Sequence, residues 1–485
     1  MPTTLIDDVL DLILQTCSIS SLAVVSCVSF HTRELALPHL LRRVYLDRNP
    51  QQILTFLNFI LDNAHDSDFG VISAPGRHVL ELELDDLALK SYVLNEKGEY
   101  DLAEKEGYPI STWAPTLAKA LRLMPNLRSF TLRDQTEEIV TYSPDFVPTV
   151  LSLPQLMLLI LWEIGPNTSL SFGKAFDSLK GATKLQALML SPMEEMELVA
   201  NEGFGRFLSH YSMHLTGLGL DGLDLSTFLQ DDEHRPDNRR VTFPAVATAF
   251  PALHTLHLDL SKFLHPYSTG PRQNHVSFPN LISITGRYRD IYAILNSSAC
   301  RDHVRRAVIT CRWGDDDDDT VTSAYAVPKA APHLKSLHFS QSYIKPLAWW
   351  QALGETLPEL TYLDISFFFI IKGLDLICNH IPSAISQIPL EYVTLLIRGP
   401  LVDDREVQTT VPEEAIALSY AKAPTTWWKV VRKVVSDGKV TVQVESLDAD
   451  EGRALREWYD LQAYGGIVVG TGNPVESCSR GAPAY

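Results

Sequence analysis

The chain has no apolar run approaching the roughly 20 residues that a membrane-spanning helix needs, and its densest apolar stretch, Phe367 to Ile371, is far shorter. Cysteine is sparse. Cys17, Cys27, Cys300, Cys311, Cys378 and Cys478 lie far apart with no paired spacing, which excludes a secreted disulfide framework and makes them reduced, mostly core thiols. Basic residues are outnumbered, 41 Lys and Arg against 59 Asp and Glu, for a formal charge of -18. That balance argues against general affinity for nucleic-acid phosphates or anionic membrane, which need clustered Lys and Arg, and favours basic partners. The opening residues, through Asp7 and Asp8, lack the basic region of a secretory signal. A soluble protein of the cytoplasm or nucleus is therefore expected, in which the glycosylation patterns at Asn167 and Asn296 carry no meaning.

Signatures of catalysis are missing too. There is no Gly-Lys-Ser/Thr phosphate loop, no Gly-x-Ser-x-Gly elbow and no His-Glu-x-x-His. Gly465, Gly466, Gly470 and Gly472 lack the lysine a phosphate loop needs and read as a flexible tail. Cys300, His303 and Cys311 offer three zinc ligands without a fourth, beside Arg301, Arg305 and Arg306, so no metal is expected. The run Asp315 to Asp319 reads as a solvated, self-repelling loop, with an acidic docking site as the other reading. No enzyme and no cofactor are expected.

What the chain does have is one phrase, repeated: Pro-Asn-Leu127-x-x-Phe130-x-Leu132, Pro-Gln-Leu156-x-x-Leu159-x-Leu161, Pro-Ala-Leu253-x-x-Leu256-x-Leu258, Pro-Asn-Leu281-x-x-Ile284, Pro-His-Leu334-x-x-Leu337-x-Phe339 and Pro-Glu-Leu360-x-x-Leu363-x-Ile365. Looser copies stand at Val79 to Leu84, Leu185 to Leu190, Leu215 to Leu220 and Leu390 to Leu395. A unit recurring at intervals of about 25 to 50 residues marks a solenoid. Two apolar residues two apart point to one face of a short strand, and the leading leucine turns in from the bend before it. The proline ends the preceding helix. Upstream segments carry apolar residues at three-and-four spacing, as in Pro115 to Met124, Phe172 to Leu179 and Leu347 to Leu357. Each unit is thus helix, proline, strand, and only stacked neighbours bury its leucines. The expected fold is an α/β solenoid with a curved sheet inside and helices outside, and it resembles the leucine-rich repeat family in an irregular form.

Residues 1–48 read differently, as a small all-α module. Leu5, Ile6, Val9, Leu10, Ile13 and Leu14, followed by Leu22, Val25 and Val28, make amphipathic faces too apolar for so short a unit to bury alone, with Ser20 or Ser21 as a helix cap. The spacing resembles the F-box, although Ile6 stands where that family has proline. Joined to the repeats, the opening resembles fungal F-box proteins with irregular leucine-rich repeats. That resemblance implies a non-catalytic subunit that docks those nine residues on a Skp-type adaptor of a cullin ubiquitin ligase and holds a target protein on the repeats. The other reading makes the helices a plain end cap of the stack, in a scaffold without a ligase role.

Non-leucine strand positions face the concave side of such a horseshoe. Most are small or polar, including Glu81, Glu83, Asp85, Arg133, Gly217, Gly219, Thr255, Ser283, Thr285, Ser336, Tyr362 and Asp364, as expected for a wetted face. Leu158, Ile160, Trp162 and Met189 are the exception, an apolar patch nominated as the target's seat. Repeats are expected over 49–400. Residues 401–464 are expected to form an end cap, with a hairpin turning at Asp437 and Gly438 and a helix near Leu455, and residues 465–485 a disordered tail.

Overall fold

The structure, a computed structural model, describes residues 3–15, 17, 19–46, 49–64, 74–85, 91–94, 100–103, 109–179, 184–192, 198–199, 202–220, 223–224, 243–258, 278–295, 298–310, 330–341, 347–367, 388–397, 426–434, 440–447, 451–452 and 455. Outside them lie the Asp315 to Asp319 run, Cys311, the Asp437 and Gly438 turn and the 465–485 tail.

One sheet of fourteen strands runs through the molecule in chain order. Its members are β1 (Arg43–Leu46), β2 (Glu81–Leu84), β3 (Ser129–Leu132), β4 (Leu158–Ile164), β5 (Ala187–Pro192), β6 (Gly217–Leu220) and β7 (Thr255–Leu258), then β8 (Ser283–Arg287), β9 (Arg306–Thr310), β10 (Ser336–Gln341), β11 (Tyr362–Phe367), β12 (Tyr392–Ile397), β13 (Thr426–Val434) and β14 (Val440–Leu447). Neighbours from β1 to β12 pair in parallel. A parallel sheet whose spatial order equals its chain order is a solenoid, here of the leucine-rich-repeat type.

The leucine phrase sets the register. Leu82, Phe130, Leu159, Leu188 and Leu218 stand in one cross-strand row, continued by Leu256, Ile284, Ala307, Leu337 and Leu363, and all of them are buried. At about 1.5–3 kcal/mol for each buried leucine-sized side chain, a slip by one residue would move the whole row to the wrong face. The main chain repeats as well. The carbonyl just before each strand accepts from two successive N–H groups of the next unit, as Arg42 does from Leu80 and Glu81, Arg128 from Met157 and Leu158, and Thr361 from Glu391 and Tyr392. Strand β9 is a unit the repeat reading passed over. Val304, Ala307 and Ile309 fill its three slots with smaller apolar residues, and all three are buried.

Helices lie behind the sheet. The helix Ile110–Leu121 starts before Pro115, because Trp113 and Ala114 extend its buried face toward the N-terminus. Helices Pro166–Leu179 and Glu202–Tyr211 meet glycine on glycine, since a Cβ on Gly173 would come 2.9 Å from the Gly203 Cα. Phe172 packs there on Phe204 and Phe207, with ring centroids 5.4 and 4.9 Å away. Glu137 of the preceding unit caps the first of these helices, accepting from the N–H of Asn167 at 2.8 Å and of Thr168 at 3.0 Å, two donors that have no partner inside the helix.

At the N-terminus, α1 (Thr3–Leu14), α2 (Ile19–Ser26) and α3 (Phe30–Leu41) form a small bundle with its own core of Leu14, Leu22 and Ala36. The cap belongs to α3. Ser29 accepts from the Thr32 N–H at 3.1 Å in a capping box, whereas Ser20 and Ser21 sit inside α2. Leu41 of α3 joins the main core, so the bundle is seated on β1. At the other end β13 and β14 pair antiparallel on β12, so the parallel sheet does not end in a bare edge. Among the described residues no helix is long and apolar enough to cross a membrane.

Candidate functional site

Two surfaces stand out by what they leave in water. The first is on the N-terminal bundle. His39 ties α3 to α1 through Asp11 at 2.7 Å, and His31 does so through Asp7 at 2.9 Å. The His39 hydrogen bond holds the Asp11 carboxyl below the usual range. With Leu14 and Leu22 turned into the bundle's core, the opposite face carries Val9, Leu12 and Ile13 of α1, Val24 of α2, and Val28 and Phe30 beyond it, all exposed and Val28 to 71%. Leu10 and Val25 are half-buried; the side chains of Leu5 and Ile6 lie outside the described residues. Two of the expected contact residues, Leu14 and Leu22, are therefore core. Leu12, Val24 and Phe30 were missed, although Leu12 shares the three-and-four spacing of Val9 and Ile13.

The second surface is the concave face of β1 to β5. Its rows run across the strands: Arg43, Glu81, Ser129, Leu158 and Ala187, then Tyr45, Glu83, Thr131, Ile160 and Met189, with Asp85, Arg133, Trp162 and Ser191 at the rim. Trp162 is 37% exposed, and the Arg133 guanidinium stacks on its ring, 5.2 Å from the centroid. Arg133 Nε donates to Glu83 at 2.6 Å and lies 3.9 Å from Asp85, which accepts from the Tyr45 hydroxyl at 2.8 Å. Burial works against the Arg133 charge, but Glu83 and Asp85 outweigh it and raise its pKa. Burial pushes the Glu81 carboxyl up, with Arg43 at 3.1 Å offsetting part of that rise.

Trp162 is aimed by a bulge. Glu163 has a φ of 57° where the β4–β5 register shifts, and Gln135 on the neighbouring unit has the same φ. The two are joined, the Gln135 N–H donating to Glu163 at 3.1 Å. Such a conformation costs a non-glycine residue about 1 kcal/mol or more; neither residue type announces it in sequence.

From β7 onward the small polar residues of this face, Thr255, Ser283, Thr285 and Ser336, expected in water, are buried, as are Ser366 and Thr394, while His257, Arg287, Arg306 and His338 are half-buried. Asp364 is 1% exposed, 3.2 Å from His338 Nδ1, and accepts from the Tyr362 hydroxyl at 3.5 Å; that hydroxyl also pairs with Thr394 at 3.1 Å. Leu455, from beyond the hairpin, packs with Tyr362 and Tyr392 in a cluster separate from the main core. Leu455 thus lies on the concave side.

No family model matches the chain, and no curated protein matches it in sequence. Among solved structures it is similar to the Rad7 and Elc1 complex in yeast, at 14% identity and a TM-score of 0.39 over 80% of this chain and 93% of that one. It is also similar to the leucine-rich repeat-containing protein LegL7 from Legionella pneumophila, at 14% identity and a TM-score of 0.30 over 71% and 91%. Both likenesses are too distant to bear on function.

Of the nominated seat, Trp162 is exposed and Ile160 and Met189 are half-buried, but Leu158 is buried. Gly217 and Gly219 are buried too, and a Cβ on Gly219 would come 3.0 Å from Met189 and 3.2 Å from His257, which lean toward each other over it. Asp221 and Asp259 lie outside the described residues. Cys300 and His303 do not come together as ligands: Cys300 is buried with its thiol toward the Phe278 carbonyl, and His303 is exposed.

Proposed function

We propose that the chain is a non-catalytic receptor subunit of a Skp-cullin-F-box type ubiquitin ligase, acting in the cytoplasm or nucleus. The N-terminal bundle docks on the Skp-type adaptor and the open concave face holds a target protein. The observation that carries this reading is the exposed apolar face of a bundle that already has its own core. Val9, Leu12, Ile13, Val24, Val28 and Phe30 remain in water after Leu14, Leu22 and Ala36 have packed, and clustered exposed apolar surface of this kind marks a partner contact.

The test is co-purification with a purified Skp-type adaptor. The full chain should bind; a chain lacking residues 1–48, and the double variant Val9→Asp and Ile13→Asp, should not. A second reading rests on Leu41, which joins the solenoid core and makes the bundle an end cap. Under that reading the protein is a repeat scaffold, and the adaptor binds none of the three.

A further inference from the structure

Over β1 to β5 the concave floor keeps Tyr45, Glu83, Arg133, Ile160, Trp162 and Met189 at least partly in water, while at β11 and β12 Leu455 lies on Tyr362 and Tyr392. Five strands span four inter-strand steps, about 19 Å at ~4.8 Å each. Chemistry changes along that length. Glu83 and Asp85 on β2 stand two steps, about 10 Å, from Ile160 and Trp162 on β4, and Met189 follows one step further. Arg133 holds the indole by one face and leaves the rest of the exposed ring to a visitor.

Charge says what kind of visitor. Glu81, Glu83 and Asp85 stand on this floor, against the guanidiniums of Arg43 and Arg133, and both arginines are already ion-paired. The excess is negative, as it is for the chain at -18.

We propose that the open concave floor takes an extended segment of a target protein, about six residues long, in which a Lys or Arg stands three positions from an apolar or aromatic residue. The cation meets Glu83, and the apolar side chain lies on Trp162, Ile160 and Met189. A polyproline-II segment suits the spacing, because it advances about 3.1 Å per residue and returns positions i and i+3 to the same side, close to 9 Å apart. This deepens the target-seat part of the functional proposal and is independent of its adaptor part.

A displayed library of random hexapeptides, panned on the full-length protein and counter-selected on Trp162→Ala, tests it. Enriched sequences should pair Lys or Arg with Leu, Met or an aromatic residue three positions away. A labelled peptide of the enriched sequence should bind the wild type at least ~10-fold more tightly than Trp162→Ala or Glu83→Gln, and several-fold more weakly at ~0.5 M salt, where charges beyond a few ångströms are screened. Enrichment of acidic or charge-free sequences, no enrichment over the counter-selection, or equal binding by both variants overturns the proposal. Trp162 and Glu83 both reach the surface, so matched melting temperatures will separate lost binding from lost folding. Adaptor co-purification is read separately: a failed selection with the adaptor still captured removes the peptide seat alone, and the reverse removes the ligase reading alone.

Discussion

The two ends of the concave face are written in the same strand grammar and hold the same register, yet β2 and β3 keep charged side chains partly in water where β11 and β12 bury their polar ones. Over β1 to β5, Glu83 and Arg133 keep about a third of their side chains in water, at 31% and 36%. At β11 and β12, residues no less polar are buried, Asp364 to 1%, Ser366 to 2% and Thr394 completely. Composition cannot account for the difference, since Ser, Thr and Asp fill the dry end. Cover does. Leu455 supplies an apolar contact on Tyr362 and Tyr392, and the polar groups beneath answer one another, His338 to Asp364 and Tyr362 to Thr394. A polar row in a repeat protein therefore marks the concave side without marking a free surface.

The contrast can be broken by substitution. Asp364→Ala should destabilise the protein by about 3 kcal/mol, because it removes a buried carboxylate that is the ion-pair partner of His338 and accepts from Tyr362. Glu83→Ala, at the wet end, should cost about 1 kcal/mol or less, as partly exposed pairs do; comparable losses in urea titrations would erase the distinction. Leu455→Asp should lift the C-terminal cover and cost about 2 kcal/mol, with faster amide exchange confined to β11 and β12. Exchange rising equally in β3 and β4 would mean the cover is not local. Trp162→Asp should move the melting temperature by no more than about 2 °C, because surface changes stay near 0.5 kcal/mol.

The smallest effect is a pH dependence. Folding raises the Glu81 carboxyl above its ordinary 4.5, so the folded state binds its proton more tightly than the unfolded chain does. The stabilisation is fully present below pH 4.5 and is lost as pH rises through the folded value. Relative to Glu81→Gln, the wild type should be more stable at pH 4 than at pH 7, and a constant difference in melting temperature would refute it.

Much of this was legible beforehand. The spacing of Leu127, Phe130 and Leu132, and of each copy, determines strand, face and core row, because period-two side chains and a preceding proline leave few alternatives. It also placed Trp162 on the concave side. The unit at Val304, Ala307 and Ile309 escaped only because smaller apolar residues filled the leucine slots. On α1 the sequence marked an amphipathic helix but not which residues the bundle would keep: Leu14 went to its core while Leu12 and Ile13 stayed out, in a packing where His31 and His39 tie α3 to Asp7 and Asp11 of α1.

Repeat and register were thus set by the sequence itself, since they depend on residues a few positions apart. The left-handed turn at Glu163, the stacking of Arg133 on Trp162 and the covering of Tyr362 and Tyr392 by Leu455 were decided by the tertiary structure, because each depends on residues from different units meeting in space, and local spacing carries no record of that meeting.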